Sequence, residues 1–295
     1  MRRVITSPKS RGFLNLFHPL LAVFVLVLAS FPAPAADDAA RLPLMFDARE
    51  RLPRPDISAV VRVRILTTAD FPPFNFADQT GRLSGFNVDL AREICAELKL
   101  EAKCQIQALP FDELEKALES GAGEAVMAGV AVTPDLRKRF LFSRPYLGIP
   151  ARFARNRSAA TINGDTAAAL GGNSVGVVKG TAHQAMLKAF FPDLAATPFD
   201  SYEAMLDALK SGKVKAVFAD GLRLPFWVAG EASQNCCALF DGPYLSQKYL
   251  GEGLSVMIRK GDPVLVAAFD QALAELSRNG RLQDIYLRYF PNGLY

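Results

Sequence analysis

The chain is poor in the residue types that many enzymes use for acid-base and metal chemistry. Its 295 residues include two histidines and four cysteines, and no two cysteines have the C-x-x-C spacing. Because tetrahedral metal sites are built from clusters of these residues, the sequence predicts neither a metal nor another cofactor. Beyond residue 35 the one histidine is His183, which leaves little basis for histidine-dependent catalysis.

A long apolar run of the kind that spans a membrane is also missing. The apolar run at residues 20–29 is shorter than the roughly 20 residues that a spanning helix needs. Four basic residues precede this run, and Ala33-Pro34-Ala35 after it fits a small-x-small cleavage site. We interpret residues 1–35 as a removable signal peptide, which predicts a periplasmic protein, with a membrane anchor as the alternative.

Neither sign of charge is in excess once residues 1–35 are removed. The precursor has 34 Lys and Arg against 30 Asp and Glu, and the four basic residues of the signal peptide account for the difference. No basic stripe interleaved with aromatic residues is present, so the sequence predicts no nucleic-acid partner. The length that remains suggests one large domain or two modest ones.

All four cysteines follow the predicted cleavage site and would face an oxidising compartment. Cys95 falls on a predicted helix and Cys104 on the strand after it, so a bridge between them is geometrically feasible. Cys236 and Cys237 are adjacent. A vicinal disulfide, two free thiols and cross-pairing all remain open for that pair.

Regular secondary structure is predicted only after an extended N-terminal arm, residues 36–58, which is rich in Pro, Arg and Asp. Alternation at residues 61–65 then predicts a strand. After Gly85 a helix is indicated, with Asn87 as its predicted N-cap. The apolar positions of that helix follow the helical spacing and are Leu90, Ala91, Ile94, Cys95 and Leu98.

The most informative feature is an internal repeat. Residues 117–129 align without gaps on residues 208–220, and seven of the thirteen positions are identical. Each copy is predicted to end a helix at a Ser-Gly cap and to continue into a short buried strand, which is half of a parallel α/β unit. Two such units predict two similar lobes; chance similarity of a common helix-turn-strand pattern is the alternative.

The repeat makes Gly129 and Asp220 equivalent positions, just beyond the carboxyl ends of their strands. Open α/β sheets bind ligands at that edge. Two lobes that face each other with these edges would enclose a cleft, the usual place for a small-molecule site.

Several motifs in order resemble the family 3 extracellular solute-binding proteins, the polar amino acid receptors of ABC importers, over residues 60–290. The motifs are Phe71-Pro72-Pro73-Phe74, Gly85-Phe86-Asn87-Val88-Asp89-Leu90, Thr133-Pro134, Phe142-Ser143-Arg144-Pro145-Tyr146, Val175-Gly176-Val177-Val178-Lys179-Gly180-Thr181 and Ala219-Asp220. The resemblance implies an α/β protein of two similar lobes with mixed, mostly parallel sheets, joined by two hinge strands. Lobe 1 would comprise residues 59–151 plus 246–295, and lobe 2 residues 152–245.

The matched positions suggest a trap for a zwitterion. Asp220 would pair with a ligand ammonium in the closed cleft, where an unpaired charge is costly, and Gly129 would offer its backbone carbonyl. Asp220 as a cap of the next turn is the alternative. At the other ligand end, Thr181 begins a predicted helix whose free N–H groups suit a carboxylate, although a plain helix cap predicts the same local structure.

Phe71 and Phe111 match positions where the family flanks its ligand with aromatic or apolar side chains, and core packing is the alternative for both. Arg137 marks a departure from the family. The carboxylate-binding Arg usually lies three residues after the motif Thr, where this chain has Leu136. One helical step rotates a side chain by about 100°, so Arg137 either reaches the cleft from an irregular turn or is solvated. Arg152 is an alternative partner for an anion.

The resemblance predicts a monomeric, non-enzymatic receptor that closes over a small polar, amino-acid-like solute and delivers it to an inner-membrane ABC permease. Two other functions stay open. The first is an enzyme of the cyclohexadienyl dehydratase kind on the same fold, with Asp220 as general acid or base. The second is a soluble sensory or accessory module that signals to a protein partner.

Overall fold

The computed structural model of the chain describes Leu42 and residues 45–47, 49–159, 162, 164–291 and 293–295. The predicted signal peptide lies outside these residues. In the described part no helix is both long and apolar enough to cross a membrane.

The described elements alternate between strands and helices for most of the chain. The strands are β1 Val63–Thr67, β2 Asp70–Phe71, β3 Asn75–Ala77, β4 Leu83–Ser84, β5 Cys104–Ala108, β6 Ala125–Val126, β7 Phe140–Phe142, β8 Ala151–Asn156, β9 Ser174–Val178, β10 Ala195–Phe199, β11 Ala216–Asp220, β12 Cys237–Leu239 and β13 Met257–Arg259. The α-helices are α1 Phe86–Glu97, α2 Leu114–Glu119, α3 Pro134–Arg139, α4 Ala182–Phe190, α5 Tyr202–Lys210, α6 Arg223–Ala229, α7 Gln247–Leu250, α8 Pro263–Arg278 and α9 Arg281–Tyr289.

Two five-stranded sheets organise these elements, in the orders β5-β1-β6-β13-β7 and β10-β9-β11-β8-β12. In the first sheet β1 pairs in parallel with β5 and β6, and β13 runs antiparallel to β6 and β7. In the second, β9 pairs in parallel with β10 and β11, and β8 runs antiparallel to β11 and β12. The predicted α/β class with mixed sheets is confirmed.

Each sheet is covered on both faces, which explains why its central strands are almost continuously apolar. In β1, Ile65 belongs to the core shared with α1, α8 and α9, whereas Leu66 belongs to the core shared with α2. In β11, Phe218 packs with residues of α4, and Val217 packs with residues of α5. The chain passes between the sheets from β7 to β8 and from β12 to β13. The lobe boundaries at residues 151, 152, 245 and 246 stay a prediction.

The internal repeat has the same local backbone in both copies. Ser120 and Ser211 both have φ −74° and ψ −5°, and Gly121 and Gly212 both have φ +74°. The left-handed conformation at these glycines ends each helix and turns the chain into its strand. The helices before the caps differ, because α2 is preceded by a 3₁₀ turn at Phe111–Glu113 whereas α5 is a single α-helix.

The prediction that Asn87 caps α1 is wrong. The N-cap is Gly85, two residues earlier, and Asn87 is a buried residue inside the helix. Its amide donates to Asn75 Oδ1 at 2.9 Å, and its Oδ1 accepts the Tyr146 hydroxyl at 2.9 Å. Asn87 therefore joins a hydrogen-bonded network between three segments. An unpaired polar group would be costly at this buried position. The strand predicted at residues 61–65 begins at Val63, and Val61 is 83% exposed.

The described part of the N-terminal arm packs on the core of the first sheet and contains no helix or strand. Phe46 is 4% exposed in that core, and Arg144 donates to both carboxylate oxygens of Glu50. Both cysteine pairs are bonded as disulfides, Cys95 with Cys104 and Cys236 with Cys237. The bridge between α1 and β5 agrees with the prediction. Of the three states left open for Cys236 and Cys237, the structure has the vicinal disulfide.

Candidate functional site

Two phenylalanines that the sequence singled out flank a pocket beside the first sheet. This pocket is lined by Thr68, Asp70, Phe71, Phe111, Ala128 and Gly129 and has a volume of about 330 Å³. Phe71 is 37% and Phe111 57% exposed, so neither ring is a core residue. Gly129 has φ +75°, and a Cβ added there would lie 2.9 Å from Phe71 Cε1. Glycine therefore allows both the turn and the close approach of the ring.

Phe71, in the short strand β2, also joins this pocket to a second one, which is bordered by the segment after β2 and by the residues that follow β11. On one side the second pocket is lined by Phe71, Pro72 and Pro73, and on the other by Leu222, Arg223 and Phe226. Its volume is about 420 Å³. The residues from 222 onward follow directly on the carboxyl end of β11, so the second pocket lies at the sheet edge that the repeat predicted as the ligand edge.

Asp220 is the last residue of β11 and is half-buried. Its Oδ1 accepts the backbone N–H of Arg223 at 2.7 Å, as the capping alternative predicts. Within the described residues no cationic side chain forms an ion pair with this carboxylate. Asp220 thus combines a structural contact with a negative charge that the protein leaves unneutralised.

Two polar groups without partners lie within the electrostatic reach of Asp220. Burial lowers the pKa of His183, and the nearby Asp220 charge opposes that shift. Burial raises the pKa of the Tyr202 hydroxyl, and Asp220 adds to the rise. His183 Nε2 and the Tyr202 hydroxyl are buried and have no hydrogen-bond partner among the residues that the structure describes. Both pKa shifts favour the neutral form, and neither group is among the residues that line the two pockets.

Thr181 is the N-cap of α4, as predicted. Its hydroxyl accepts the Gln184 N–H at 3.3 Å and donates to the Val178 carbonyl at 2.7 Å. The Gly180 N–H is bound by the Gln184 side chain at 2.8 Å. Thr181 borders a groove along α4 that Lys188 and Leu194 also line. Its proposed contact with a ligand carboxylate stays a prediction.

Arg137 is not brought together with the pocket residues. Its guanidinium forms an ion pair with Glu252 and lies 5.6 Å from the centroid of the Phe142 ring. It lines a separate groove between α3, β7 and α8 that also includes Asp270. Leu136, one residue earlier, packs against the core instead. Arg137 as a ligand contact stays a prediction, and in this structure its charge is already paired.

Sequence reasoning did not identify Arg223, Phe226 or Tyr202. Arg223 and Phe226 lie three and six residues after Asp220, which is a helical spacing that continues from the predicted site residue. Tyr202 begins the helix of the second repeat copy, 18 residues before Asp220, and no local pattern links the two. Arg152, the alternative anion partner, has a buried Nε without a partner in the described part of the chain. The described residues contain no group of three or more His, Cys, Asp or Glu placed to hold a metal ion.

Comparison with known proteins agrees with this architecture. The sequence model of the bacterial extracellular solute-binding proteins, family 3, matches residues 63–292. The L-arginine-binding protein of Pseudomonas aeruginosa is 31% identical over 246 residues, which cover 82% of this chain and 92% of the relative. The ABC transporter arginine-binding protein 1 of Escherichia coli K12 is 27% identical over 234 residues, 79% of this chain and 93% of the relative.

A solved structure supports the fold. The L-cystine solute receptor of Neisseria gonorrhoeae, in the unliganded open conformation, matches with a TM-score of 0.64 at 21% identity and covers 78% of this chain and 92% of that one. The predicted two-lobed, type II periplasmic binding protein fold is confirmed, as is the predicted resemblance. The chain belongs to family 3 of the bacterial extracellular solute-binding proteins.

Proposed function

We propose that this solute-binding protein captures a small amino-acid-like ligand that carries a cationic amine, in the cleft between its two lobes. The observation that carries this proposal is the Asp220 carboxylate, half-buried at the ligand edge of the second sheet and without a cationic partner in the described residues. A ligand ammonium or guanidinium would supply that partner. Both relatives above are named for arginine, which offers two cationic groups.

Two exposed aromatic rings beside the first sheet support the same ligand class. Phe71 and Phe111 are exposed beside Gly129, and their faces would cover an aliphatic stem or a cation. Such a cation–π contact contributes about 0.5 to 2 kcal/mol. We assign Phe71, Phe111, Gly129 and Asp220 to the ligand site, with Thr181 at the α4 terminus as a further contact. Arg137 enters this site only if its pair with Glu252 opens.

The cellular role follows from the family. We propose that residues 1–35 direct export and are removed, that the mature protein is a periplasmic monomer, and that it delivers its ligand to an ABC permease. Lobe closure around the ligand would be the signal that the permease recognises. The relatives are binding proteins, and we propose that this chain likewise has no catalytic activity. Incubation with prephenate or arogenate would then give no aromatic product.

A thermal-shift panel tests the ligand class. The panel contains the common amino acids, their amides, opines, L-arginine, agmatine and small carboxylates. A ligand at 100 times its dissociation constant stabilises the folded protein by about 2.7 kcal/mol, so a binding compound raises the unfolding midpoint clearly. We expect the largest rise from cationic amino acids. If neutral or acidic compounds alone stabilise the protein, the assignment of Asp220 to a ligand cation is wrong.

A further inference from the structure

Arg223 is the first residue of α6, three residues after Asp220. Its backbone N–H donates to the Asp220 carboxylate at 2.7 Å, which fixes the start of α6 relative to Asp220. Its guanidinium carbon lies 4.1 Å from the centroid of the Tyr202 ring. Stacking on an aromatic face holds the plane of an arginine and leaves its N–H edges available.

The one ion pair of Arg223 in the described residues is weak. Its Nη2 lies 3.5 Å from Glu203 Oε1, and the two side chains are 60% and 72% exposed. Exposed pairs of this kind contribute little, because water screens both charges. The guanidinium is therefore oriented by Tyr202 without being neutralised.

Two other arginines, Arg137 and Arg144, are held in close ion pairs. Arg137 is paired with Glu252 and stacks on Phe142, and Arg144 is held by both oxygens of Glu50. Arg152 is half-buried beside the hinge, and burial lowers its pKa. Of these four arginines, Arg223 alone lines the second pocket, which Phe71 and Phe226 also border.

We infer that Arg223 provides the cation that binds the ligand carboxylate, while Asp220 binds the ligand amine. This inference rests on the proposed function. A planar guanidinium donates two parallel hydrogen bonds to a carboxylate, which a helix terminus or a lysine does not reproduce. Phe71 and Phe226 lie on opposite sides of the same pocket and would exclude water from the pair when the lobes close. A carboxylate and a guanidinium three residues apart thus form one site for a zwitterion.

Isothermal titration calorimetry with L-arginine and agmatine tests this role, because agmatine has the guanidinium and an amine but no carboxylate. Hydrogen bonds between charged groups correspond to a tenfold to roughly hundredfold change in affinity. We expect the wild type to bind L-arginine more tightly than agmatine by about that factor. Arg223→Gln should lower the affinity for L-arginine to the level of agmatine and leave the affinity for agmatine within about twofold.

Three further variants make the result specific. Arg223→Lys keeps the charge without the paired N–H groups and should fall between the wild type and Arg223→Gln for L-arginine. Arg92→Gln removes an equal charge from the exposed face of α1 and should change neither affinity. Arg137→Gln tests the competing arginine. Unfolding midpoints without ligand show that each variant is folded.

The outcomes separate the inference from the proposed function. If the wild type binds neither compound, the proposed ligand class is wrong and the inference falls with it. If the wild type binds both equally, or Arg223→Gln weakens both equally, the ligand class stands and Arg223 does not bind a carboxylate. A selective loss of L-arginine affinity in Arg137→Gln, with Arg223→Gln unchanged, would assign the carboxylate to Arg137.

Discussion

The two copies of the repeat have the same local backbone but end in residues of different chemistry, a glycine in the first and an aspartate in the second. Residues 117–129 and 208–220 both leave their helix through a serine at φ −74° and a glycine at φ +74° and then enter a buried strand. The first copy ends at Gly129, which has no side chain and lies under the Phe71 ring. The second ends at Asp220, a carboxylate without a cationic partner in the described residues.

In the proposed site, this difference assigns the apolar ligand contacts to one side of the cleft and the charged contact to the other. On the side of the first sheet lie the exposed rings of Phe71 and Phe111 and the Gly129 backbone that Phe71 approaches closely, which favour contact with many ligand shapes. The second sheet contributes the charge of Asp220, which would discriminate strongly because a charge without a matching ligand group is left unpaired. Specificity should therefore be concentrated at the second copy, whereas the geometry of the turn should matter equally in both.

The largest expected effect is the loss of ligand binding in Asp220→Asn. Asparagine keeps the oxygen that accepts the Arg223 N–H, so the start of α6 is retained while the charge is lost. Removing one partner of a desolvated charge pair costs about 2 to 5 kcal/mol, so the affinity for L-arginine should fall by about 30-fold or more. Calorimetric titration measures the change.

The matched control for that variant is Asp207→Asn on α5. The Asp207 side chain is 73% exposed and pairs with Lys210 across one helical turn. The variant makes the same charge change on the exposed surface of α5, away from the carboxyl end of β11, so its affinity should equal that of the wild type. Equal losses in both variants would show a general effect of charge, and unchanged binding in Asp220→Asn would show that the site is misplaced.

An intermediate effect is expected at the turn glycines, where the two copies should behave alike. Alanine at φ +74° costs about 1 to 2 kcal/mol, so Gly121→Ala and Gly212→Ala should each lower the free energy of unfolding by that amount. A Cβ at Gly212 meets no atom within 4 Å, and one at Gly121 meets only the flexible end of Arg259 at 3.1 Å. Urea unfolding of the unliganded protein measures both changes.

Serine variants at the same turns provide the comparison. Ser120→Ala and Ser211→Ala leave the right-handed backbone of the cap unchanged and remove only a side-chain bond to the helix, 3.1 Å and 3.3 Å long. Their effects should be smaller than those of the glycine variants. If Gly121→Ala and Gly212→Ala differ from each other by more than about 1 kcal/mol, the two copies are not energetically equivalent, although their backbones match.

Features that depend on neighbouring residues were predictable from the sequence. The Ser-Gly caps, the strand that ends at Asp220 and the bridge from Cys95 to Cys104 each follow from residues close together in the chain. The family motifs additionally predicted the two-lobed fold. Asn87 shows that local sequence patterns do not determine tertiary contacts. Asparagine is a common N-cap, but here a buried amide is satisfied by Asn75 and by Tyr146, and the hydroxyl of Tyr146 comes from 59 residues away.

The sequence predicted which strand ends form the candidate site. It did not predict which side chains contact each other there. Whether Arg137 faces a ligand depends on Glu252, which is 115 residues distant, and on one helical step that moves Leu136 into the core. The stacking of Arg223 on Tyr202 likewise joins two helices through tertiary packing. The pairing of Glu50 with Arg144 places the arm on the body across 94 residues. Such contacts are set by the fold and leave no periodic signal.

The smallest expected effect is a pH dependence from His183 on α4, whose pKa is influenced by the charge at the end of the second copy, whereas Gly129 at the end of the first copy has no charge. Burial lowers the pKa of His183 below its usual value of about 6.5. As the pH falls through about 6.5, the unfolded chain binds the proton before the folded chain does, so the free energy of unfolding should decrease from pH 7.5 to pH 5.5. His183→Gln should remove this part of the decrease in urea unfolding.

Because Asp220 opposes the shift, Asp220→Asn should lower the pKa of His183 further and steepen the decrease. An identical slope in the wild type and His183→Gln would mean that His183 is as solvated in the folded protein as in the unfolded chain, and Asp220 would then have no buried histidine near it.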